Sequence, residues 1–259
     1  WHLHVAVDDA TGEVVGAWFD TQETLDGYYH VLYMILKVYG VPSRFRTDRR
    51  TVFEYSLRGR PDEEKDTFTQ FSAACRTLGI EIEANSIPQH KGRVERLNKT
   101  LQGRIPVEFV RHGIATIEAA NAFLWEYLPR FNAQFSLKDE KDLETSTFLD
   151  APDSAGINSI LAVVSQRVID SGSSIKYHNA YYQPCVQHPG GLRPTFFVKG
   201  TKACVIKTFD GTLIASIKEE LYILAEIEKR NMHSKEFDPE PAPVPRKRKP
   251  SVPGPDHPW

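Results

Sequence analysis

The sequence predicts an α/β unit followed by a small all-β unit. Strand-like and helix-like periods alternate up to residue 135, short alternating runs fill residues 166–227, and a stretch without period lies between them. At 259 residues the chain can build one substantial core and a smaller second unit. Its 41% hydrophobic and 25% charged residues are ordinary for a soluble globular protein.

Residues 1–7 alternate and are rich in Val and Leu. Asp8-Asp9-Ala10-Thr11-Gly12 reads as a hairpin turn, with 13–19 as the return strand. Thr21 or Thr24 can cap a helix over 24–39, because Leu25, Tyr28, Tyr29, Leu32, Ile35, Leu36 and Tyr39 recur at helical spacing. Gly40 and Pro42 end it. Residues 43–47 form the next strand, and 49–66 read as an exposed polar excursion. A second amphipathic helix covers 67–78 and stops at Gly79. Ile80, Ile82 and Ala84 then alternate with Glu81, Glu83 and Asn85 as a short strand.

A loop over 86–92 leads into a basic helix, which Gly103 and Pro106 are expected to kink or interrupt before it resumes through Val110. Thr116 caps a helix over 117–135. The acidic, Pro-containing segment that follows reads as a linker, so the expected organisation is a core at 1–136 and a linker at 137–165. The runs 167–170, 175–177, 180–183, 196–198, 202–207, 213–217 and 221–224 are separated by Gly or Asp turns. They predict a small β-barrel at 166–227. Residues 228–259 hold many prolines and the cluster Arg246-Lys247-Arg248-Lys249, and lack the apolar content to fold.

A net charge of −2 gives no bulk support for nucleic-acid binding, so any such surface must be a local patch. Cys75, Cys185 and Cys204 are scattered without CxxC spacing, which argues against a disulfide framework or a structural zinc and fits a reducing cytoplasm. The apolar run 31–41 is interrupted by Lys37 and is too short to span a bilayer, and no signal peptide is visible. The chain opens on Trp1 inside a strand-like pattern and so reads as a fragment.

The chemistry concentrates in residues 86–102, SIPQHKGRVERLNKTLQ, and in Arg44-Phe45-Arg46-Thr47-Asp48. Glu95 is one acid among Lys91, Arg93, Arg96 and Lys99 on a helix, and Asp48 ends a strand-like run. A Glu among cations on a helix is ordinarily a solvated ion pair, and an Asp can simply begin a turn. The order of the parts favours more: strand, helix, strand ending in Asp, helix, strand, loop, helix carrying Glu. That order suggests metal-assisted phosphoryl transfer on nucleic acid.

These residues resemble the transposase and retroviral integrase superfamily, whose catalytic core is RNase H-like. The segment Pro88-Gln89-His90-Lys91-Gly92-Arg93-Val94-Glu95-Arg96-Leu97-Asn98-Lys99 looks like the loop and helix bearing the family's last catalytic acid. The strand ending in Thr47-Asp48 resembles the one bearing its second. Bacterial insertion-sequence transposases of the ISNCY type look closest, partly through the KGRVER segment, Asn121 and Phe131-Asn132. The resemblance implies a mixed sheet with flanking helices, its first strand and first catalytic aspartate lying before Trp1, so that Asp8 and Asp9 are turn formers.

It further implies that Asp48 and Glu95 are catalytic and hold Mg²⁺ or Mn²⁺, oxygen-seeking ions suited to carboxylates. Gln89, His90, Lys91, Arg93, Arg96 and Lys99 are implied to contact DNA, which is cut and joined by strand transfer, and the protein to assemble as a homo-oligomer on two DNA ends. By this reading the fragment alone is inactive. The residues leave open a non-catalytic or decayed DNA-binding or assembly module, and an RNase H-like nuclease.

Overall fold

The computed structural model describes residues 1–47, 62–84, 88–136 and 146–228. Two compact units result. The first holds Trp1–Val164 with Ile206–Thr212, and the second Ser165–Val205 with Leu213 onward.

In the first unit, β1 (His2–Val7) and β2 (Val14–Asp20) form an antiparallel hairpin. Asp8 builds its turn, accepting from the Ala10 amide and the Thr11 hydroxyl. The helix α1 (Leu25–Val38) follows, and Thr24 caps it by accepting the Gly27 N–H. Gly40, at φ +101°, passes so close to Leu149 that a Cβ would lie 2.2 Å from its carbonyl oxygen. Val41 and Leu149 pair there through both backbone hydrogen bonds. The strands β3 (Arg44–Thr47) and β4 (Glu81–Ala84) pair in parallel, Thr47 opposite Ala84, joined through α2 (Asp62–Thr77). Such a crossover is what parallel pairing requires.

Two long helices complete the unit, α3 (Pro88–His112) and α4 (Ile117–Phe135, capped by Thr116). Leu101 and Ile105 of α3 join Phe123, Leu124, Tyr127, Leu128 and Phe131 of α4 against Val14, Ala17 and Phe19 of β2. A second cluster packs Tyr29, Leu32 and Leu36 of α1 against Phe71, Ala74 and Cys75 of α2. Burial pushes the Cys75 thiol up to about 12, so it is an inert core group.

Two asparagines fasten α4 to the hairpin. The Asn121 amide accepts the Phe19 N–H at 2.7 Å and donates to the Phe19 carbonyl at 2.9 Å, and Asn132 does the same for Val14 at 2.9 and 3.0 Å. Eleven helical residues advance about 16.5 Å at 1.5 Å each, and five strand residues advance roughly the same. Odd spacing along a strand should aim the two backbone groups at opposite edges. The register shift near Val15, where Ala6 pairs Gly16 but Val7 pairs Val14, restores a common edge.

Some elements depart from the sequence reading. Helix α2 starts at Asp62, so part of the expected excursion is helical. Helix α3 starts at Pro88, where the missing N–H is harmless, and residues 88–92 are therefore its first turns rather than a loop. It runs unbroken past Gly103 and Pro106, both on its exposed side, while Leu101 and Ile105 brace the other. The segment read as a linker contains α5 (Ser154–Ile160), capped by Asp153, with Ile157 and Leu161 buried in the second cluster.

The remaining strands, β5 (Val163–Val168), β6 (Ile175–Tyr177), β7 (Ala180–His188), β8 (Gly191–Pro194), β9 (Lys202–Lys207), β10 (Leu213–Ile217) and β11 (Glu220–Ile227), make one barrel-like sheet. Its order is β5-β9-β10-β11-β7-β6, with β8 on β7. Ile169, Ile175, Tyr177, Val205, Ala215, Ile217 and Leu224 fill its core. Residues 196–198 are not a strand. Phe197 is buried with its N–H on the Ser173 hydroxyl, and β8 pairs in their place.

Candidate functional site

The parallel pairing of β3 and β4 brings their carboxyl ends to one edge, Thr47 beside Ala84. Asp48 follows Thr47 in sequence and lies outside the described residues. Four residues after Ala84 the chain enters α3, which carries Glu95 about two turns in.

Taking Leu101 as the centre of the buried stripe, Glu95, Arg96, Lys99, Gln102 and Pro106 lie roughly 100–160° around the helix from it, at 100° per residue. All five are exposed. Glu95 thus shares a solvent face with Arg96 and Lys99. The side chains of Gln89, His90, Lys91 and Arg93 lie outside the described set, and their backbone forms the first turns of α3.

Arg46 organises the edge where β3 ends. It reaches Asp9 of the β1–β2 turn at 2.8 Å and Glu83 of β4 at 3.2 Å, and Arg44 adds a second contact to Glu83 at 3.5 Å. The hydrogen bond from Arg46 holds the Glu83 carboxyl below its ordinary value. Asp9 and Glu83 are therefore engaged by a guanidinium. Of the two acids singled out in the sequence, Glu95 is the one that lies among the described residues. Among the described residues no group of three or more His, Cys, Asp or Glu converges to hold a metal. No helix among them is long and apolar enough to cross a membrane.

Sequence reading missed the Arg46 bridge. Its signal is the register itself, since Arg46 and Glu83 sit directly opposite once β3 and β4 are paired in parallel. Asn121 and Asn132 stood out in the sequence only by resemblance, and their role is to close the outer edge of β2.

The chain is similar to proteins named as transposases. It is 45% identical over 258 residues, its whole length, to the transposase for insertion sequence IS1202 of Streptococcus pneumoniae, of which it spans 54%. It is also 36% identical over 135 residues, 52% of this chain and 29% of the relative, to the putative transposase y4bF of Sinorhizobium fredii (strain NBRC 101917 / NGR234). The chain thus spans about half the length of the curated relative it matches from end to end. No protein-family model matches it.

Proposed function

We propose that this chain is the catalytic region of a DNA transposase of the integrase superfamily, of the ISNCY type, with Asp48 and Glu95 as acids of its metal-dependent centre. The observation that carries the reading is the convergence of β3 and β4 at one edge, from which the chain passes into α3 with Glu95, Arg96 and Lys99 on its solvent face. The names of the relatives support transposition as the broader activity.

An RNase H-like sheet fits the topology. Among the described residues β1 pairs only with β2, and β3 only with β4. Their other edges suit a strand from further polypeptide that would join the antiparallel and parallel pairs into one mixed sheet and bring the first acid. Asp48 and Glu95 would hold Mg²⁺ or Mn²⁺ through carboxylate oxygens. When bound, such an ion would supply Lewis-acid stabilisation of charge on phosphoryl oxygens. The residues of α3 do the rest: Lys91, Arg93, Arg96 and Lys99 neutralise phosphates along the helix, and Gln89 and His90 seat a DNA end by polar contacts. The barrel-like unit serves DNA contact or the assembly of protomers, and carries no chemistry.

The test uses a protein extended to the length of the relatives, assayed for Mg²⁺-dependent cutting and joining of DNA ends. Asp48→Asn and Glu95→Gln should each abolish both steps while DNA binding persists. Joining that survives Glu95→Gln refutes the assignment, and cutting without joining in the unaltered protein makes it a nuclease. Removing residues 166–259 should weaken end binding or assembly, and unchanged binding, salt slope and oligomeric state would leave that unit purely structural.

A further inference from the structure

Strand register sorts the side chains of the barrel-like sheet onto two faces. Ala215 and Ile217 of β10 and Tyr222 and Leu224 of β11 lie in its core, Ala215 opposite Tyr222. Side chains alternate along a strand, so Ile214 and Ser216 of β10 face outward, opposite Ile223 and Leu221 of β11. The pairing carries this outer face on to Cys185 of β7, itself buried and opposite Ile223, and through β7 to Leu192 of β8, which stands opposite Gln187. No Asp, Glu, Lys or Arg of these four strands lies on it. It is open to solvent, for Leu221 is 65% and Leu192 46% exposed.

Such a face offers phosphate no cation, which sets DNA aside as its occupant. A charged protein surface would bury charge there without an opposite. A second copy of the same face brings none. The β10–β11 turn at its end adds charge that complements itself. Lys218 and Glu219 stand side by side there at φ 52° and 70°, a left-handed backbone that neither residue type favours, and among the described residues neither has an ion pair. A two-fold axis beside the turn sets Lys218 of one copy against Glu219 of the other. Four strands ~4.8 Å apart and about five residues at ~3.4 Å each give roughly 300 Å² per copy, well under the ~800 Å² of a standard interface. The contact is therefore weak in free solution.

We propose that the outer face of β10, β11, β7 and β8 pairs two copies of this chain across a two-fold axis beside Leu221. This pairing is one form of the assembly role given above to the barrel-like unit, on which it rests, and is independent of Asp48 and Glu95.

Sedimentation equilibrium of the full chain, from micromolar to millimolar, tests it. The average mass of the parent should climb towards that of a dimer. Leu221→Lys and Leu221→Glu, both at an exposed side chain outside the core, should each move association to about tenfold higher concentration, and mixing the two variants should restore it. Lys218→Glu should weaken it by a smaller factor. A parent chain that stays monomeric throughout would overturn both the pairing and the assembly role. Association unchanged by either Leu221 variant, or variants that stay apart when mixed, would overturn the pairing alone. So would a loss of DNA affinity in Leu221→Glu without a change in mass, which would give the face to DNA.

Discussion

Helices α3 and α4 share one hydrophobic core but divide their surfaces differently. Helix α4 buries eight residues, including two asparagines whose amides close the edge of β2, so nearly half its surface belongs to the fold. Helix α3, longer by about two turns, buries Leu101 and Ile105 and turns Glu95, Arg96, Lys99 and Gln102 to solvent. Narrow anchorage leaves a helix free to serve an outside partner, and broad anchorage commits it to stability. Solvated charge on α3 adds little to folding by itself.

The contrast breaks most sharply at the asparagines. Asn121→Ala or Asn132→Ala leaves a buried N–H and C=O of β2 without partners, and each should destabilise the chain by about 2–3 kcal/mol. Glu95→Gln on α3 should stay within about 0.5 kcal/mol. Urea unfolding of the three variants measures this, and equal losses on both helices would erase the distinction.

A smaller loss is expected where α1 meets β1. A Cβ on Gly27 would lie 2.4 Å from the buried His4 ring, so Gly27→Ala should lose roughly 1–3 kcal/mol by overpacking. Adding His4→Ala should return part of it, since the obstructing ring is gone. A double variant less stable than both singles would show that the contact is not the cause.

His4 also makes the same junction sensitive to acid. The Thr24 N–H donates to its Nε2 at 3.2 Å, which fixes the neutral ring, and burial, followed by the nearby His2, lowers its pKa below 6.5. The unfolded chain therefore takes up this proton first as pH falls. The contribution is fully present above pH 6.5 and is lost as pH drops through the lower folded value, with a slope of at most about 1.4 kcal/mol per pH unit. Unfolding at pH 7.5 and 5.5 should show a larger drop for the parent chain than for His4→Ala, and parallel behaviour would remove His4 from the account.

The smallest effect concerns DNA on α3. Replacing Lys99 by Gln in the extended protein should weaken binding evenly across sequences and flatten the salt dependence by about one unit of slope. A change in sequence preference with an unaltered slope would mean that Lys99 reads bases instead.

Helix α4 was legible because its signals are local: a Thr cap, a regular apolar stripe and a clean end at Phe135. Helix α3 misled because Pro88 read as loop, although proline suits a first helical position, and because Gly103 and Pro106 read as breaks. Their solvent-facing positions make them tolerable, and only the packing of Leu101 and Ile105 reveals which face that is. The start of α2 at Asp62 was hidden for a related reason, since its first residues are charged and carry no apolar period. The Arg46 bridge and the asparagine clamps depend on strand register, which no local pattern fixes.

The most direct test of the α3 assignment replaces Mg²⁺ with Fe²⁺ in the extended protein and maps where hydroxyl radicals generated at the bound ion cut the polypeptide. The account predicts cuts near residue 48 and near residue 95 in the same sample, both lost in Asp48→Asn and in Glu95→Gln. Cuts confined to other segments, or undiminished in Glu95→Gln, would contradict it.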